Sequence, residues 1–381
     1  MTVFLCYNVF GDFMGYISVI KIAVLVFPIF SLILSLPFLI YHYRKYGSIT
    51  FLRFFLVFSF FFYLLCAYFL VILPLPKKTE VMQYSGAYYN LKPFFVIPEI
   101  FNSSEVSLIN PNSYIYLLNQ RFLEPLFNIL MVIPFGIYLH YYFKCGFFKT
   151  LFLSFCLSLF FELTQLSGLY FIYPRPYRLC DVNDLINNTT GGVIGFIITP
   201  IFSFFLPSRE KIDSKSYLRG REVSIFRKGI ALIIDYFFAF VVCYILNFFV
   251  ESNYIVYFLV LFLIFVIIPF ISSGFTFGTW ILNFKYIGSD YDGSISFFKY
   301  LIKYLLFHIF ILNSWFIFMF LCEIFNTDLL FSVVLYCICI FMFLVYCLVC
   351  FILNRDIFIN TILGVSSIST IGVLSGEEDE I

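Results

Sequence analysis

The sequence predicts an all-α polytopic membrane protein with about nine transmembrane helices in two helical bundles, the second carrying a short cytoplasmic turn or hairpin. Three observations carry that prediction. Of 381 residues, 62% are hydrophobic and the mean hydropathy is +0.99. Only 12% are charged, about half of the ~25% of a soluble domain. The apolar residues fall in runs close to the ~20 residues that cross the hydrocarbon, without the period-2 polar alternation of a barrel strand.

The same numbers exclude other classes. The length argues against a small disulfide-stapled scaffold, and 58 Phe with 29 Tyr argue against disorder. A net charge of +1 rules out nucleic-acid binding by bulk charge. Membrane lipids are the expected partners, with no nucleic acid.

The expected spans, in order, are Ile17–Tyr41, Phe54–Leu75, Phe122–Phe143, Thr150–Leu169, Asn188–Leu206, Gly229–Phe249, Tyr254–Ile271, Tyr304–Phe325 and Leu329–Leu353. The first is not read as a cleavable signal, because no basic stretch precedes it and its apolar run is long. With the N-terminus outside, sixteen Lys and Arg fall in inside segments and six in outside ones. That asymmetry predicts a multi-pass cell-membrane protein with the C-terminus in the cytoplasm. Cys337, Cys339, Cys347 and Cys350 lie in the last span and read as small packing residues.

A change of composition at Pro207–Lys228, with seven basic and three acidic residues, predicts a cytoplasmic linker between five spans (1–206) and four (229–365). Its charges either set topology or touch anionic lipid. The longest loop, Pro76–Gln120, is expected outside. Its Tyr84, Tyr88, Tyr89 and Tyr114 either contact sugars and headgroups or form an interfacial belt. Residues 366–381, ending in four acids before Ile381, are expected to form a solvated tail.

Polar side chains inside spans are costly and normally face partners. The third span carries Glu124 and Asn128. The fourth carries Ser154, Ser158, Glu162 and Gln165, whose 4-4-3 spacing places them on one helical face. Then Arg175, Arg178, Asp181, Asp184 and Asn188 follow at intervals of three, three, three and four, which makes one stripe if the segment is helical. Gly191, Gly192 and Gly195 beside it permit close backbone approach. Three readings stay open for this cluster. Glu162 pairs with Arg178 or Arg175 in a structural network. Alternatively, the cluster forms a ligand or lipid-headgroup site, in which Glu162, Asp181 and Asp184 hold a divalent cation or polarise a headgroup phosphate–metal complex. The third reading is catalysis, although no nucleophile–base pair stands out and an enzymatic role is the least favoured. No metal or cofactor is assigned. His140 is read as part of an interfacial aromatic cluster.

In the second half, Arg227, Ala231 and Asp235 share a face at four-residue steps, so Asp235 lies about two turns inside the membrane. A carboxylate there should be paired or protonated. Trp280–Ile287 has strand-like side chains and suggests the short turn or hairpin. His308 is read as a packing residue.

Two resemblances rest on these residues. Asn128–x5–Pro134–x–Gly136, Phe161-Glu162-Leu163-Thr164-Gln165, and Arg178–x2–Asp181–x2–Asp184-Leu-Ile–x–Asn188-Thr189–x–Gly191–x3–Gly195 resemble the VanZ-like membrane family. The likeness is strong over Phe122–Leu206, and the first two spans fit by hydropathy. It implies an envelope role of the teicoplanin-resistance kind, without a defined reaction, and with a cell-wall precursor or glycopeptide as a further candidate partner. Arg227, Asp235 and Asp356, with Thr276–x–Gly278, resemble the RDD membrane family over Arg221–Val365, although Thr279 and Lys303 depart from its usual Lys and Arg. That resemblance implies the alternative function, a cation/proton antiporter using Asp235.

Overall fold

The computed structural model describes residues 2–94, 120–249, 254–288, 293–307, 318, 322–324, 329–353 and 358–371. Asp356, His308, Tyr114, most of the Pro76–Gln120 loop and the acidic end of the tail lie outside the described residues. The protein is an all-α polytopic membrane protein. Among the described residues, seven helices are long and apolar enough to cross a bilayer: Val19–Tyr46, Phe51–Ile72, Leu123–Tyr141, Phe147–Leu166, Val182–Ser203, Ile225–Leu246 and Val333–Cys350. An eighth apolar helix, Ile255–Ile271, is shorter, and a π-helical turn at Leu263–Ile267 interrupts it. The span expected at Tyr304–Phe325 lies mostly outside the described residues.

The chain divides into two compact units, residues 1–34 with 51–212, and residues 35–50 with 213–381. In the first, α1 (Thr2–Tyr46, up to Leu34) and α2 (Phe51–Ile72) precede a short α3 (Lys78–Gln83) and β1 (Tyr89–Asn90). Then come α4 (Gln120–Tyr141), α5 (Phe147–Leu166), β2 (Cys180–Asp181) and α6 (Val182–Ser203). Strand β1 pairs in parallel with β2, Tyr89 opposite Cys180 and Asn90 opposite Asp181.

Helices α4 and α6 pack most intimately, because three glycines remove the side chains between them. A Cβ on Gly136 would sit 2.0 Å from the Gly192 carbonyl oxygen, one on Gly191 2.2 Å from that of Ile129, and one on Gly195 2.1 Å from that of Ile133. Small residues at such a crossing maximise van der Waals contact where no hydrophobic force drives helices together. Gly192 admits the Ser154 hydroxyl of α5 in the same way.

The second unit begins with the end of α1, from Ser35, and continues through Thr50. The segment expected as a linker contains a helix, α7 (Arg209–Gly220), across which the unit boundary falls. Then follow α8 (Ile225–Leu246), α9 (Tyr254–Phe262) and its continuation to Ile271, α10 (Phe277–Ile281), β3 (Phe284–Gly288), α11 (Phe297–Leu305), α12 (Leu329–Ile352), α13 (Phe358–Ile362) and β4 (Val365–Ser369). The strand expected near Trp280–Ile287 forms, but its partner is distant: β3 runs antiparallel to β4, from Phe284 opposite Ser369 to Gly288 opposite Val365. Residues 366–369, expected in the solvated tail, therefore complete a sheet. Trp280 belongs instead to α10.

Ser224 caps α8 by accepting from the Arg227 backbone N–H at 3.2 Å. The core beneath joins Ile230, Ala231 and Ile234 of α8 to Leu282 and Phe284, with Tyr43 from α1 and Val223. The Arg227 guanidinium is fully buried. It donates to the carbonyls of Leu282 (3.0 and 2.7 Å), Gly220 (3.0 Å) and Asn283 (2.7 Å), and to Ser369 Oγ at 3.3 Å. One side chain thus holds the end of α7, the approach to β3 and the end of β4.

Candidate functional site

The face Ser154, Ser158, Glu162 and Gln165 forms as its spacing predicts, and all four are buried. The stripe expected to run on from Arg175 does not. Pro174 and Pro176 remove backbone donors and bias their neighbours away from helix, so α6 begins only at Val182. Asp181 is its N-cap, accepting from the Asn183 backbone N–H at 2.8 Å. Asp184 and Asn188 therefore lie on α6, whereas Arg175 and Arg178 lie on the preceding loop.

That break redirects both arginines. Arg178 donates to the carbonyls of Leu70 (3.4 Å), Val71 (2.9 Å) and Leu73 (2.5 Å) at the end of α2. Gln165 Nε2 reaches Val71 O at 3.3 Å, Tyr177 hydroxyl Ile72 O at 2.7 Å, and Tyr173 hydroxyl Pro76 O at 2.8 Å. The last carbonyls of a helix lack intrahelical partners and carry its negative pole, and these side chains satisfy them. Arg175 donates to the Tyr84 carbonyl and to Gly86 O at 2.7 Å, and lies over the rings of Tyr84 and Tyr88. The expected pairing of Glu162 with Arg178 or Arg175 is thus replaced by arginine–carbonyl and arginine–aromatic contacts.

The carboxylates gather without an ion pair to either arginine, although the Arg178 charge still reaches Asp184. Glu162 Oε2 accepts from the Asp181 backbone N–H at 2.9 Å, and its carboxyl group lies close enough to the Cys180 side chain to act on it electrostatically. Asn128 Nδ2 donates to Asp184 Oδ1 at 2.6 Å across the α4–α6 crossing. Asn90 Nδ2 reaches both Asp181 oxygens, at 3.2 and 3.1 Å, and Asn183 Nδ2 reaches Oδ1 at 2.7 Å. Deeper along the seam, Asn188 Nδ2 donates to Ser158 Oγ at 3.1 Å, and Ser158 Oγ donates to the Asp184 carbonyl at 3.4 Å. Among the described residues, none of the three carboxylates forms an ion pair, and no group of three or more His, Cys, Asp or Glu could hold a metal ion. Asn90 carried no sequence signal, since it lies 91 residues from Asp181 in a two-residue strand. Asn183 was recoverable, because an Asp two residues before an Asn at a helix start is a capping pattern.

Cys180 reports on this charge. Its thiol is pushed up to about 11, first by burial, then by the Glu162 carboxylate and the charges of Asp181 and Asp184. Negative neighbours disfavour the thiolate, so little nucleophile exists until the pH approaches that value. With Cys180 as the sole cysteine, alkylation at pH 8 is expected to run on the order of 100-fold slower than at an ordinary exposed cysteine. Glu162→Gln should accelerate it. An ordinary rate in the parent protein would show that the thiol does not face the carboxylates.

The residues of the second set join elements of the second unit. Asp235 Oδ2 accepts from the Thr276 hydroxyl and Oδ1 from the Gly278 backbone N–H, both at 2.6 Å, which joins α8 to the start of α10. Thr279, where the RDD pattern has Lys, accepts from the Thr276 N–H at 2.8 Å and completes the cap. Arg227 turns to the carbonyls described above rather than to Asp235. Asp356 lies outside the described residues.

No curated protein and no solved structure matches the chain. The RDD resemblance of residues 221–365 rests on the residues quoted for it. The α2 end, the α4–α6 crossing and the carboxylate cluster all fall within residues 60–203, and over that range the chain is similar to the family described as VanZ/LLP1.

Proposed function

We propose that the protein acts at the bacterial cell envelope, where the Glu162–Asp181–Asp184 cluster holds the positively charged group of a lipid headgroup or of a cell-wall-directed ligand of the glycopeptide type. The distribution of lysine and arginine supports an outer position for this end of the bundle. The similarity of residues 60–203 to VanZ/LLP1 supports the envelope setting. The observation that carries the ligand reading is the gathering of three carboxylates whose hydrogen bonds come from neutral donors, while Arg178 is committed to α2. Negative charge removed from water is stable only when it is paired or protonated, and a ligand ammonium supplies the missing charge.

The test is glycopeptide susceptibility in a sensitive bacterial host producing the full chain. The parent protein is expected to raise the inhibitory concentration of teicoplanin. Glu162→Gln and Asp184→Asn, at equal membrane level, are expected to return it to the empty-vector value. Asn128→Asp, which adds a carboxylate beside Asp184, should retain more effect than Asp184→Asn. Unchanged susceptibility with the parent protein, or full activity in both neutral variants, would reject the proposal.

A further inference from the structure

Past the C-terminal end of α5 the chain makes a turn of the opposite hand. Gly168, Leu169, Tyr170 and Phe171 have φ of 61, 57, 57 and 66°, the left-handed region that residues other than glycine rarely enter. Three of the four carry a Cβ, so the conformation is costly and must be held. Leu169 holds one side, buried among Ala67, Val71, Phe161 and Tyr173. The Tyr170 hydroxyl holds another, 3.2 Å from that of Tyr68 and 3.1 Å from Thr164 Oγ1.

The turn changes which side chains face outward. A right-handed continuation of α5 would set Ile172 in line with Phe161, Gln165 and Gly168, at steps of four, three and four residues, and those three are buried. Instead Phe171 is 88% and Ile172 52% exposed, and Tyr173 enters the core. The backbone donors of the turn are all used. Tyr170 N–H donates to Ser167 Oγ at 3.0 Å, Phe171 N–H to Ser167 O at 2.9 Å, Ile172 N–H to Leu169 O at 3.1 Å and Tyr173 N–H to Gly168 O at 3.0 Å. Pro174, which follows, has no N–H to satisfy. Irregular backbone is compatible with hydrocarbon only when its polar groups are bonded within the protein.

Continuity with α5 identifies what covers the two exposed side chains. Phe152, Phe155, Leu163 and Leu166 form an exposed apolar row on that helix, which is long and apolar enough to cross a bilayer, so the row faces lipid. Phe171 and Ile172 follow directly on its end.

We propose that the left-handed turn is a lipid wedge, with Phe171 and Ile172 seated among phospholipid acyl chains in the leaflet at this end of α5. The wedge fixes the depth from which the segment Tyr173–Asp181 returns to Glu162.

The test uses the full chain in vesicles of dioleoyl phosphatidylcholine and dioleoyl phosphatidylglycerol, with the photoreactive p-benzoylphenylalanine in place of one residue and mass spectrometry of the products. Position 171 is expected to yield protein carrying one phospholipid, to the same extent as position 163 on the exposed row. Position 161, on the same helix and 2% exposed, should yield none. A second measurement reads the backbone. Phe171→Gly and Phe171→Ala both lose the ring, but glycine adopts positive φ without strain. The glycine variant should therefore melt at the higher temperature in these vesicles, the reverse of the order in a right-handed helix. Absence of a lipid adduct at position 171, cross-links from it only to other parts of the chain, or an alanine variant at least as stable as the glycine variant would overturn the proposal.

Discussion

Arg227→Ala is expected to lower the stability of the protein by about 3–5 kcal/mol, because it strips a fully buried cation from partners that cannot turn to water. The guanidinium makes five hydrogen bonds, and four go to the carbonyls of Gly220, Leu282 and Asn283. The Gly220 and Leu282 oxygens would lose these donors, whereas Asn283 O keeps the Thr370 backbone N–H at 2.9 Å. Unfolding in mild detergent, followed by the accessibility of Cys243, measures the loss. Arg227→Lys should fall between the parent and Arg227→Ala, since an ammonium has three donors but no planar fork. Equal stability of the lysine variant and the parent would show that charge alone matters at this point, and not the geometry that ties α7, β3 and β4 together.

The second large effect is expected at the glycine crossing of the first unit. Gly191→Ala or Gly195→Ala places a methyl carbon near 2 Å from the Ile129 or Ile133 oxygen, a separation no Cβ tolerates, so the two helices must part. Overpacking of this kind costs typically about 1–3 kcal/mol per site. It should also lengthen the Asn128–Asp184 bond, which spans the same crossing at 2.6 Å. The variants are therefore predicted to lose thermal stability and glycopeptide phenotype together. Gly229→Ala serves as the control. Its Cβ position is open, it lies within α8, and alanine there should be neutral or stabilising by about 0.5–1 kcal/mol. A melting midpoint that falls as far in Gly229→Ala as in Gly195→Ala would reject the close-contact account.

What the residues announced beforehand follows from how local each cause is. Long apolar runs and the 4-4-3 spacing of Ser154, Ser158, Glu162 and Gln165 are single-helix properties; seven of the nine runs form spanning helices among the described residues, and the four residues share a buried face. The run from Arg175 to Asn188 was misleading, because its three-residue intervals suggested helix while Pro174 and Pro176 forbade it. Weighing those prolines would have placed Asp181 at the cap. The destinations of Arg178 and Arg227 were not legible. Both end on backbone carbonyls, over 100 and about 55 residues away respectively, and a carbonyl carries no residue identity. The β3–β4 pairing was hidden for a related reason. Its strands are short, lie on either side of α11, α12 and α13, and derive their register from contacts that only the folded unit supplies.

The unit boundary within the first helix bears on how the gene can be dissected. The stretch Ser35–Thr50 belongs with residues 213–381, where Tyr43 enters the core beside Ile230 and Leu282. There the Arg44 carbonyl accepts from Asn283, and Gly47 abuts Gly220. Expression of the C-terminal half alone, cut anywhere in the basic segment, would yield a polypeptide missing a wall of its own interior. The earlier half would carry that wall as an unused apolar extension. Chimaeras that exchange one half between related chains must therefore transfer two separate pieces of coding sequence, the longer C-terminal one and the short N-terminal one that completes it.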